Sequence, residues 1–178
     1  MKIPRDLPQF ENDKAVFIVT GKQNAAFHLA HKGELTKLAE FKIETPSYSD
    51  KEGSSMNRGG GITFGFGWVL EKNKREETKD FLKQLEETSR KILAKQGATK
   101  IYLFSPQYIL ASAKETMKNI AGSKVEMRTF SGNYTRVHPL KLLEELKGRN
   151  ERRTEKNKPT LIKEEARKIL ERTKNLKH

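Results

Sequence analysis

The chain has 178 residues, 34% hydrophobic and 33% charged, which is enough for one compact body with a modest core and some exposed polar segments. Its 36 basic residues against 23 acidic ones leave a net charge of +13, a balance that concentrates a protein around polyanions, nucleic acid first. Cysteine is absent, which rules out disulfides, thiolate nucleophiles and cysteine metal sites and accords with a reducing cytosol; without an apolar N-terminal h-region or a run of about 18 apolar residues, a cytoplasmic location off the membrane is expected.

Residues 1–14 are polar with two prolines and read as an N-terminal arm. "AVFIVT" (15–20) is a short β-branched apolar run, the pattern of a buried central strand. "GKQN" (21–24) reads as a turn, and "AAFHLAHKGELTKLAEFKIE" then gives two strands around "HKGE", completing a three-strand meander. Leu35 and Leu38, three apart, leave a helix open as an alternative over Leu35–Phe41. A long loop follows, roughly 44–70, holding six of the twelve glycines. Between Gly53 and Leu70 it has no Asp or Glu, and Arg58 is its one full charge. A loop of that length inside a compact domain is functional or disordered.

From Asn73 to Gln96 the pattern is helical, with Phe81, Leu82, Leu85, Ile92 and Leu93 on one stripe, Glu86 and Arg90 paired at i,i+4, and Gly97 as the stop. "KIYLFS" (100–105) is a second buried strand. Pro106 then starts a helix with Ile109, Ala113, Met117 and Ile120 on one face. "KVEMRTF" (124–130) alternates as an edge or half-exposed strand, and "HPLKLLEELKG" (138–148) is a short helix with Leu140, Leu143 and Leu146 inward and Gly148 as its stop. The order β-β-β-loop-α-β-α-β-α predicts an α/β fold: a mixed sheet, with an antiparallel meander in front, flanked by helices. The body is expected over 15–149. Residues 150–178, a charged linker and an amphipathic basic helix capped at Thr160, hold ten Lys/Arg against five Asp/Glu.

Chemistry-bearing patterns are sparse. His28 and His31 are three apart on a strand and so point to opposite faces, a poor arrangement for a shared metal. His138 flanks a helix start, and no metal or cofactor site is expected. No G-x-S-x-G, P-loop or dinucleotide fingerprint occurs, and the carboxylates read as solvated helix faces. The glycine-rich loop differs. Gly59, Gly60 and Gly61 remove side-chain bulk and let backbone N–H groups approach an anion. Asn57, Arg58 and Thr63 add donors beside them. Phe64, Phe66 and Trp68 either stack on bases or anchor the loop's return to the core. RNA contact is expected there and from the tail cations Arg152, Arg153, Lys156, Lys158, Arg167 and Lys168.

The sequence of "AVFIVTGKQNAAFHLA", a hairpin into "LTKLAEFKIET", a long Gly-Gly loop, "REETKDFLKQLEETSRKIL", "ATKIYLFSPQYILASAKETM", "KVEMRTFSGNYTR" and "HPLKLLEEL" resembles the central domain of archaeal and eukaryotic peptide-chain release factors and of Pelota. It looks most like their bacterial relatives, sometimes labelled host-attachment proteins, over about residues 14–148. The resemblance implies a release-factor-like sandwich. In release factors this loop carries Gly-Gly-Gln, enters the peptidyl-transferase centre and helps water attack the peptidyl-tRNA ester. Gly59 and Gly60 match, and Gly61 stands where the glutamine would be. With fourteen residues before the domain and thirty after it, neither the family's codon-reading domain nor its GTPase-recruiting domain is expected here. The resemblance therefore implies a non-enzymatic ribosome-associated factor in rescue, hibernation or quality control. Its partner would be ribosomal RNA, with tRNA left open, and it would read no codon. The alternatives are a peptidyl-tRNA hydrolase using the altered loop, and a non-ribosomal protein-interaction module. Oligomeric state stays open.

Overall fold

The computed structural model describes residues 1–43, 67–122 and 125–157. Two compact units divide the chain, Met1–Pro139 and Leu140–His178. The first is a mixed α/β unit around a five-stranded sheet of order β3-β2-β1-β4-β5. Its strands are β1 (Ala15–Thr20), β2 (Asn24–His31), β3 (Glu34–Lys42), β4 (Lys100–Ser105) and β5 (Glu126–Ser131), and its helices are α1 (Gly67–Gln96) and α2 (Gln107–Ala121). The α/β architecture expected from the sequence is the one observed.

The sheet's centre is β1, all six of whose residues are buried. It pairs antiparallel with β2 and parallel with β4, and β4 pairs parallel with β5. The meander turns at Lys32-Gly33, with φ of 48° and 73°. Two consecutive left-handed residues make the primed hairpin turn that matches strand twist, and glycine at the second position takes it without steric cost. That pairing decides the open alternative at Leu35–Phe41. The segment is strand, because pairing with β2 buries Leu35 and satisfies a row of backbone groups. β5 is an edge strand, as its alternation predicts.

Alternation gives the sheet two apolar faces. On one, Val16, Ile18, Ala25, Phe27, Ile101 and Leu103 pack with Phe81 and Leu85 of α1 and Ile109, Ala113 and Met117 of α2. Each large side chain buried this way contributes about 1.5–3 kcal/mol. The other face is aromatic. Phe17, Tyr102, Phe104 and Phe130 lie side by side, Phe104 stacking on Phe130 at 4.4 Å between ring centroids. Phe10 packs edge-on against Phe17 at 5.9 Å, and Tyr134 against Phe104 at 5.0 Å.

Three boundaries differ from the sequence reading. Helix α1 starts at Gly67, six residues before Asn73, so the last positions assigned to the glycine-rich loop, Trp68 among them, are helical. Gly97, at φ 61°, closes it by donating to the Leu93 carbonyl at 3.0 Å. Residues 1–14 do not hang as an arm. Ile3 and Leu7 are buried, Leu35 N–H donates to the Met1 carbonyl at 2.8 Å, and Lys32 and Gly33 donate to Phe10 and Gln9 at 3.1 and 2.7 Å. In the second unit, α3 (Pro139–Asn157) passes straight through Gly148. Leu143 and Leu146 are buried as expected, while Leu142 is the third buried leucine and Leu140 is half-buried.

Candidate functional site

The predicted loop contacts Asn57, Arg58, Gly59, Gly60, Gly61 and Thr63 lie outside the described residues, as do Phe64 and Phe66 and, in the tail, Lys158, Arg167 and Lys168. What the structure places is the framework on either side of the loop. Ile43 N–H donates to the Gln23 carbonyl at 2.7 Å, which ties the end of β3 to the β1–β2 turn. On the return side, Gln23 Nε2 donates to Glu77 of α1 at 3.1 Å, at the same turn. The residues Gly67 to Glu76 precede that contact, about 15 Å of helix at 1.5 Å per residue. The segment between β3 and α1 thus departs from the end of the sheet at which β1 terminates, and the chain returns to that end along α1.

Of the tail cations, Arg152 is exposed and donates from Nε to the Gly148 carbonyl at 3.2 Å. Arg153 and Lys156 are α3 positions by backbone. Arg149, Arg152, Arg153 and Lys156 recur three and four positions apart in the sequence of α3. Arg149 donates to Glu145 at 3.0 Å. The sequence reading had put Arg152, Arg153 and Lys156 in a charged linker; by backbone, α3 runs through these positions.

The histidines are placed apart. His28 is buried in β2 beside Phe17, and its Nδ1 has no hydrogen-bond partner among the described residues. Burial, and then the Lys37 charge, push its imidazole below the usual value, with Glu40 opposing. His31 points to the other side of the strand's course, and its Nδ1–H donates to the Asp13 carbonyl at 3.0 Å. At the amino-terminal end of β1, Asp13 pairs with Lys100 at 2.6 Å. The Lys100 hydrogen bond holds the Asp13 carboxyl below its usual range, and the same bond raises Lys100. Among the described residues no group of three or more His, Asp or Glu is placed to hold a metal ion, and no helix is long and apolar enough to cross a membrane.

No protein-family model matches the chain, and no curated protein sequence matches it. Among solved structures it is similar to the archaeal translation termination factor aRF1, at 13% identity and a TM-score of 0.36, over 82% of this chain and 41% of that one. The chain therefore spans less than half the length of that structure.

Proposed function

We propose that the protein is a ribosome-associated translation factor that binds ribosomal RNA through its glycine-rich segment and its basic surfaces, without reading a codon. The observation that carries the reading is a net charge of +13 on a chain whose longest inserted segment is glycine-rich and, from Ser54 to Val69, free of acid. Such a segment lowers side-chain bulk and offers backbone N–H groups to phosphate, while the surrounding cations supply salt-dependent affinity. The resemblance of element order and of Gly59-Gly60 to the release-factor loop gives the RNA its context. The finer role is rescue, hibernation or quality control, and tRNA is a further candidate contact.

Gly61 in the place of glutamine removes the side chain that shapes the water pocket, so ester hydrolysis is not part of the reading. Co-sedimentation of the full chain with ribosomes at rising salt tests it. Association at low salt that weakens steadily with salt is expected; absence from ribosomes even at low salt overturns it in favour of a protein-interaction module. Turnover of peptidyl-tRNA by the unaltered chain would make it a hydrolase instead, with Gly61→Gln as the variant that restores activity if only the glutamine is missing.

A further inference from the structure

We propose that the end of the sheet at which β1, β4 and β5 terminate is a binding surface for single-stranded RNA, with Lys22 and Arg136 on phosphates and Tyr108 stacked on a base. The inference rests on the RNA-binding reading above and adds to it a surface that none of the residues singled out from the sequence belongs to.

Topology assembles the surface. β1, β4 and β5 are mutually parallel, so the turn Gly21–Asn24, the start of α2 and the loop Ser131–His138 all emerge at one end. β3 runs in the same direction as β1, two antiparallel pairings away, and brings Lys42 to that end as well. The three connections touch. A Cβ on Gly21 would stand 2.7 Å from Thr135 Cγ2 and 2.2 Å from Asn24 Oδ1, so glycine is what lets the turn lie directly against the loop. Ser131 Oγ donates to Gln107 Oε1 at 2.6 Å, joining the loop to the first turn of α2. Asn133 Oδ1 accepts from Thr135 Oγ1 at 2.9 Å, and the Tyr134 ring sits on Phe104, so the loop is pinned rather than draped.

Charge separates the two ends of the sheet. The connections 21–24, 105–110 and 131–138 contain no Asp or Glu. Lys22, Lys42 and Arg136 are exposed there and have no ion-pair partner among the described residues. Among the described residues Glu77 reaches this end, where it accepts from Gln23, and Glu40 near the end of β3 is held by Lys37. At the opposite end acids stand beside bases, Asp13 with Lys100 at 2.6 Å and Glu126 with Arg128 at 2.7 Å. The field of a cation that no carboxylate neutralises extends into solvent and draws phosphate.

Tyr108 supplies what a bare cationic patch lacks. It is 68% exposed, one of two large apolar side chains so presented among the described residues. The other, Met1, belongs to the segment beside β3. Tyr108 stands in the first turn of α2, whose next residue, Ile109, is buried in the core, so the ring is carried on a fixed element. Pro106 caps that 15-residue helix without a side-chain hydrogen bond, and the Ile109 and Leu110 N–H groups donate to its carbonyl at 3.1 and 3.0 Å, so the Gln107 and Tyr108 N–H groups stand at the start of the helix without a capping side chain. A rigid exposed ring beside cations that have no ion-pair partner among the described residues fits a strand whose bases are free to stack, and a duplex hides those base faces.

The test is fluorescence anisotropy of the full chain with an end-labelled, mixed-sequence RNA of about 12 nucleotides, single-stranded or annealed to its complement, over a salt series. Tyr108→Ala is expected to weaken single-strand binding about fivefold or more and to leave duplex binding unchanged, with Tyr108→Phe restoring affinity. Lys22→Gln with Arg136→Gln should lower the slope of log K against log salt by about 1.4, two contacts at about 0.7 each. Unchanged melting temperatures confirm that each variant folds. Wild-type affinity and slope in all these variants, with the unaltered chain binding RNA, overturn this surface and leave the RNA reading standing. Failure of the unaltered chain to bind either RNA at low salt overturns both. Equal loss on duplex and single strand overturns the stacking role of Tyr108.

Discussion

His28 shows how one residue sets a pH limit on this fold. Its imidazole lies in the sheet among Phe17 and the Lys37 and Glu40 side of β3, and burial holds it in the neutral form. The unfolded chain takes up the proton near the ordinary value of 6.5, the folded chain only at lower pH. Stability from this residue is therefore complete above that value and is lost as pH falls below it, until the folded-state value is passed. Urea unfolding between about pH 7 and pH 5 should show a loss of stability that His28→Leu abolishes. Asp13 and Glu40, both held below the usual carboxylate range by their lysine partners, titrate at lower pH and do not interfere. An identical loss in the variant would show that the buried imidazole is not the group responsible.

At the scale of elements, local pattern and distant contact had unequal visibility. "AVFIVT" announced β1, because a strand covered on both faces carries no charged position, and the four-residue spacing of Ile109, Ala113 and Met117 announced α2. Residues 1–14 announced nothing. Their order comes from backbone bonds to Lys32, Gly33 and Leu35, and a hydrogen bond to a remote strand leaves no period in the sequence. If the segment is part of the core, Ile3→Ala and Leu7→Ala each cost about 2 kcal/mol or more in urea unfolding. A loose arm would give values near zero. Gly148 misled for the opposite reason. A glycine after an apolar stripe reads as a stop, yet here Arg152 reaches back to its carbonyl and the helix continues. A Cβ there would meet Arg152 Nη2 at 3.8 Å, an ordinary contact, so Gly148→Ala should stabilise by about 1 kcal/mol through helix propensity. Destabilisation would mean that the helix ends at Gly148 in a left-handed turn.

Across the whole molecule, composition raised the expectation of a polyanion partner but gave no place of contact. Lys22, Tyr108 and Arg136 come from three distant connections, each unremarkable alone, and only the parallel pairing of β1, β4 and β5 brings them to one end. The glycine-rich segment was visible as a composition, and its tether to that same end was not, since it depends on Gln23 bonding both Ile43 and Glu77. The central claim is that the protein meets ribosomal RNA with this end of the sheet and the segment that leaves it. Ultraviolet cross-linking of the full chain to ribosomes at low salt, with the adducts located by mass spectrometry, tests it most directly. RNA adducts within 57–63 and at Tyr108 are the result the account predicts; a chain that co-purifies with ribosomes yet carries adducts at neither place, or that never joins them, would contradict it.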